Sequence, residues 1–180
     1  AEFLRRSGYR PRDPENFLKH WGHGHPPAGQ GDYPVVYVGL EDARAYAVWA
    51  RKRLPTEEEW QYAAAGPKGW KYPWGDLLLP DRCNDGTMGG LTPVHAFPEG
   101  RSPFGVLDLC GNVWEWTESE RSDGRTRFAM LKGGSFYRAQ GSNWYFDGGP
   151  QTNQYSAKFL LLWPGLDRCA TVGFRCAVDV

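Results

Sequence analysis

The chain has 180 residues, enough for one domain, and a folded chain of that size buries about 70% of the surface its unfolded form exposes. Its 21 basic and 21 acidic residues balance, which leaves no long-range field to draw it onto nucleic acid or anionic lipid. Nine each of Trp, Tyr and Phe with 23 Gly and 14 Pro describe an aromatic-rich chain with much backbone in turns and loops.

Near the N-terminus, Asp13 and Pro14 followed by Phe17, Leu18 and Trp21 read as an N-cap, a helix-opening proline and a short amphipathic helical turn or two ending at Gly22. A Gly/His/Pro/Gln loop to Tyr33 leads into a β-branched run, Pro34-Val35-Val36-Tyr37-Val38, of strand length. The pattern predicts a helix from Leu40 to about Arg53, with Ala43, Tyr46, Ala47 and Ala50 on one face, acids in the first turn and basic residues in the last. Thr56-Glu57-Glu58-Glu59 is a capping box that opens a second helix through Ala65, closed by Gly66 and Pro67. Beyond it, short apolar pieces alternate with clusters such as Lys132-Gly133-Gly134-Ser135 and Asp147-Gly148-Gly149-Pro150. The expectation is an α+β domain of small strands, two main helices and long ordered loops.

Apolar runs such as Phe159 to Trp163, five residues, fall far below the roughly 20 needed to cross a bilayer, so the chain is expected to be soluble. Its first residues lack the order of a signal peptide, and the compartment is left open. The four cysteines show no CxxC spacing; Cys110 reads as a small apolar core residue, and no pairing follows from spacing alone.

Several strings in order resemble the formylglycine-generating enzyme family. They are Lys52-Arg53-Leu54-Pro55-Thr56-Glu57-Glu58-Glu59-Trp60, Tyr72-Pro73-Trp74-Gly75-Asp76, Ser102-Pro103-Phe104-Gly105, Gly111-Asn112-Val113-Trp114-Glu115-Trp116, Gly133-Gly134-Ser135 and Gly173-Phe174-Arg175-Cys176. With the segment from Pro34 to Ala50 they span most of the chain, so ordered matches rather than one lone motif carry the resemblance. It implies a C-type-lectin-like α+β fold over residues 1–180, with the strand pair that usually precedes Glu2-Phe3-Leu4 missing. The family contains sulfatase-activating oxidases, ergothioneine-pathway iron enzymes, pilus and pyoverdine-related factors and the variable proteins of diversity-generating retroelements, so membership does not by itself fix function.

The resemblance implies a copper-binding cysteine pair three and eight residues after Ser135, because thiolates are soft ligands for Cu(I). Those positions hold Arg138 and Asn143, which argues against catalysis. The alternative, an iron or copper oxidase, would draw on His20, His23 and His25, three imidazoles within six residues. The better-supported metal is calcium. By resemblance, the Asp108 side chain, the carbonyls of Gly111 and Val113, and Glu115 form its cage, an all-oxygen set suited to a hard cation.

Between Tyr137 and Phe159 aromatic bodies mix with amide and hydroxyl tips, a composition that suits adaptable recognition. In the retroelement variable proteins this stretch is the diversified binding face. The sequence reading is therefore a catalytically inactive family member that binds a protein or glycan through Trp114, Ser135, Arg138, Asn143, Trp144, Tyr145, Asn153, Gln154 and Tyr155.

Overall fold

A computed structural model describes residues 1–138, 148–161 and 167–179. Three α-helices, α1 (Glu2–Ser7), α2 (Leu40–Trp49) and α3 (Glu57–Ala65), precede four strands, β1 (Trp114–Ser122), β2 (Arg127–Lys132), β3 (Ala157–Leu160) and β4 (Val172–Phe174). The strands make one mixed sheet in the order β3-β2-β1-β4. β2 lies antiparallel to both β1 and β3, whereas β4 returns parallel to β1. The α+β expectation holds.

Alternation along β1 divides its neighbours between the two faces of the sheet. Trp114 and Trp116 pack with Leu40, Ala43 and Ala47 of α2, together with Leu54, Ala129, Leu131 and Val172, in the main core. Glu115 and its cross-strand partner Lys132 point the other way, toward α3. There Trp60, Ala64 and Leu109 form a second, smaller core. The helices thus cover opposite faces, and the charged pair of positions at the middle of the sheet is roofed by Trp60.

α3 begins as the capping box predicts. Thr56 Oγ1 accepts from the Glu59 N–H, the Glu59 carboxylate accepts from the Thr56 N–H, and Gly66 closes the helix at φ 63°. α2 is shorter than expected, because Ala50 already caps it and Arg51 sits at φ 57°; Arg51, Lys52 and Arg53 therefore lie beyond its end. Two expected elements do not form. Asn16 and Leu18 adopt φ of 57° and 47°, which turns the segment after Pro14 into consecutive turns rather than a helix. Tyr37 at φ 57° breaks the run from Pro34 to Val38, and its N–H bonds the Cys169 carbonyl instead of a ladder partner. Val36 and Val38 are buried all the same, and the Val38 carbonyl accepts from Trp116 Nε1 at 2.9 Å. No helix among the described residues is long and apolar enough to cross a membrane.

Candidate functional site

The loop that enters β1 is built from three residues in left-handed conformation, Asp108, Gly111 and Asn112, at φ of 55°, 75° and 60°. Gly111 has no substitute there, since a Cβ would collide with the Asn84 carbonyl oxygen. Three further segments are tied to this loop. The Gly111 N–H donates to Gly133 O at 2.9 Å, the Asn112 N–H to Asn84 O at 3.0 Å, and the Phe136 N–H to Asn112 O at 3.0 Å. The Asn112 side chain completes the knot by accepting from the Thr92 N–H and from Asn84 Nδ2 and donating to Thr92 O.

Glu115 starts the strand beyond this loop and is almost fully buried. Arg175 grips it with both prongs, Nε to Oε2 at 2.5 Å and Nη2 to Oε1 at 2.6 Å, while Trp60 Nε1 donates to Oε2 at 2.6 Å. The same Arg175 Nη2 reaches the carbonyls of Leu107 and Asp108, both at 3.1 Å. Asp108 is served less well, with Asn112 Nδ2 at 3.4 Å from its carboxylate. Burial pushes the Asp108 carboxyl up to about 6, with Glu115 repulsion adding to the rise and the Asn112 hydrogen bond and Arg175 opposing it.

These contacts bear on the expected calcium cage. Asp108 is a half-buried carboxylate whose burial outweighs the attraction of Arg175 and His95. The guanidinium fork and the indole occupy three lone-pair positions of Glu115 and leave one open on Oε1. The expected donors, two carboxylates and two backbone carbonyls, are all oxygens, which suits a hard cation.

The expected recognition residues divide into supports and exposed groups. Trp114, Ser135 and Asn153 are buried. Ser135 Oγ accepts from the Tyr137 N–H, and its own N–H donates to Gly149 O. Asn153 donates through Nδ2 to Trp70 O at 2.9 Å and through its backbone N–H to Lys71 O at 2.7 Å, while its carbonyl receives Lys132 Nζ at 2.8 Å. Arg138, Gln154 and Tyr155 are exposed. Arg138 Nε donates to Asp85 O at 3.3 Å, and Tyr155 tilts over Trp114 at 6.1 Å between ring centroids. Asn143, Trp144 and Tyr145 lie outside the described residues.

The three histidines do not come together as ligands, which corrects the iron alternative built on them. His20 packs against Tyr37 at 5.3 Å, while His23 and His25 stand exposed on a tight hairpin bridged from Gly22 to His25. Among the described residues no group of three or more His, Cys, Asp or Glu could hold a metal ion.

Sequence reasoning missed Trp60, Lys132 and Arg175 around Glu115; the Gly173-Phe174-Arg175 motif was the available signal for the last. It also missed two clefts. One, of about 930 Å³, lies over the buried pair Arg168–Asp42, whose Nε to Oδ2 distance is 2.7 Å; the other, of about 620 Å³, is lined by Phe17, Trp21, Tyr46 and Trp49.

Comparison with known proteins places the chain in a family and a fold. A family model described as the sulfatase-modifying factor enzyme 1-like domain matches residues 1–180. The inactive C-alpha-formylglycine-generating enzyme 2 of Bos taurus is 44% identical over 131 residues, covering 61% of this chain and 43% of the bovine one. The formylglycine-generating enzyme of Thermomonospora curvata is 38% identical over 182 residues, covering 82% of this chain and 56% of its own. The chain therefore matches only about half the length of these relatives. Among solved structures, PvdO from Pseudomonas aeruginosa superposes with a TM-score of 0.68 at 21% identity, covering 96% of this chain and 73% of that one. Treponema denticola variable protein 1 does so with a TM-score of 0.59 at 21% identity over 96% and 78%. At those identities the likeness is one of fold.

Proposed function

The chain belongs to the sulfatase-modifying factor enzyme 1-like family, and from that premise we propose that it is a non-catalytic member whose C-terminal third recognises a protein or glycan. The observation that carries this reading is Arg138. An exposed, cationic guanidinium with no lone pair to offer stands where the resemblance expects the first copper-binding thiolate. The second such position is Asn143. The printed name of the bovine relative, an inactive enzyme, supports the same reading.

Recognition rests on the exposed groups. Tyr137 and Tyr155 are 55% and 37% exposed and offer rigid aromatic contact area, with Arg138 and Gln154 as polar partners. Asn143, Trp144 and Tyr145, outside the described residues, belong to the proposed set by composition alone. Trp114, Ser135 and Asn153 hold it from below. Diversification of this stretch by a retroelement is the finer form of the proposal.

Calcium belongs to the proposal as a structural ion, held by the Asp108 carboxylate, the carbonyls of Gly111 and Val113, and Glu115. Bound there, it supplies charge neutralisation for Asp108 and pins the loop that enters β1.

The test is metal content by mass spectrometry on untagged protein, with oxygen consumption measured in the presence of a thiol. About one equivalent of calcium and no oxygen uptake are expected; copper or iron retained near one equivalent, with uptake, overturns the proposal. Binding is tested on glycan arrays and a displayed peptide library, where Tyr155→Ala is expected to abolish any signal the parent chain gives.

A further inference from the structure

Two cysteines outside the proposed recognition surface lie against each other. Cys83 and Cys110 are 7% and 1% exposed and carry free thiols. Their backbones run side by side: the Asn112 N–H bonds Asn84 O at 3.0 Å, and a Cβ built on Gly111 would stand 3.5 Å from the Cys83 Cβ. The Cys83 thiol is the side-chain neighbour of Cys110, whose Sγ donates to Gln151 O at 3.5 Å. No imidazole or carboxylate joins them to make a larger ligand set among the described residues.

Two neighbouring thiols on hydrogen-bonded backbone segments are the starting point for a disulfide, which needs Cα atoms within about 7 Å and converging Cβ vectors. We propose that Cys83 and Cys110 form a reversible disulfide that staples the segment at Asn84 to the loop entering β1. In the oxidation each thiol gives up its proton, the pair gives up two electrons, and a sulfur–sulfur bond forms between the two Sγ atoms. A low-molecular-weight disulfide such as oxidised glutathione takes the electrons, and its own bond breaks to leave two thiols.

Once folded, the pair is protected in either state. Both residues are buried, which keeps a soluble exchange partner away from their sulfurs. Exchange therefore takes place while the chain is folding or locally open.

The experiment is refolding of the unmodified chain in a glutathione redox buffer, followed by denaturation, alkylation of free thiols and peptide mapping. Expected are two alkylated cysteines, Cys169 and Cys176, and one cross-linked peptide pair joining Cys83 to Cys110. A dithiothreitol-dependent drop of several degrees in Tm is expected in this chain and not in Cys83→Ala/Cys110→Ala. Four alkylated cysteines after refolding with oxidised glutathione, or a cross-link that uses Cys169 or Cys176, overturn the proposal. The peptide map needs no variant, so a double variant that fails to fold leaves it decisive.

Discussion

Arg175, one residue past β4, holds both carboxylate oxygens of Glu115 in β1, at 2.5 and 2.6 Å, and so locks the parallel pair of strands through its side chains as well as its ladder. Truncating one partner of a buried pair leaves the other charge without compensation, which costs roughly 3–5 kcal/mol. Arg175→Met is expected to destabilise by that amount in urea titrations, and Arg175→Met/Glu115→Gln to recover at least half of it. A single-variant loss below about 1 kcal/mol would show that solvent, not Arg175, satisfies Glu115.

Asp108 predicts a pH dependence that calcium should abolish. Its carboxyl is raised from 3.8 to about 6, so the folded chain binds more protons than the unfolded one between those values. The contribution is fully present below pH 3.8 and is lost as pH rises through about 6. In chelator, the urea midpoint is expected to fall across this window, and Asp108→Asn is expected to flatten the fall. Saturating calcium, by holding the carboxylate ionised, is expected to abolish it; an unchanged profile with calcium would remove Asp108 from the cage.

Asn153 and Tyr155 are two residues apart and separate support from recognition. Asn153 is fully buried and donates to Trp70 O, so Asn153→Ala is expected to cost about 1–3 kcal/mol. Tyr155 is 37% exposed and rests on Trp114, so Tyr155→Ala is expected to cost no more than about 1 kcal/mol while removing binding. Thermal melts beside array binding check both. Equal losses of stability would place Tyr155 among the supports.

What the sequence made legible follows the range of the interactions. α3 was readable to the residue because its capping box lies within four consecutive positions, Thr56 to Glu59. The segments after Pro14 and around Tyr37 misled because their patterns favour a helix and a strand, while distant contacts hold Asn16, Leu18 and Tyr37 at positive φ. The Leu18 N–H, for example, bonds the Tyr37 carbonyl, and the Tyr37 N–H bonds Cys169 O.

The candidate site shows the same division. Motif order located Asp108, Gly111, Val113 and Glu115, but not that Trp60 and Arg175, far away in the chain, would already hold the Glu115 carboxylate. Composition marked the stretch from Tyr137 to Phe159 as polar and aromatic without separating buried Asn153 from exposed Gln154 and Tyr155. Composition does not encode which way a side chain faces.

The parallel partnership of β1 with β4 sets a timetable for synthesis. β1 leaves the ribosome nearly sixty residues before β4 (Trp114 against Val172), and at roughly 5–20 residues per second that is an interval of several seconds. Through it β1 has only β2, and later β3, on one side, and the edge that will receive Val172 to Phe174 stays open. Glu115 meanwhile waits without its guanidinium. Nascent chains stalled before Arg175 should therefore be the ones that engage chaperones and aggregate, and emergence of the segment from Val172 to Arg175 should end that exposure in a single cooperative step.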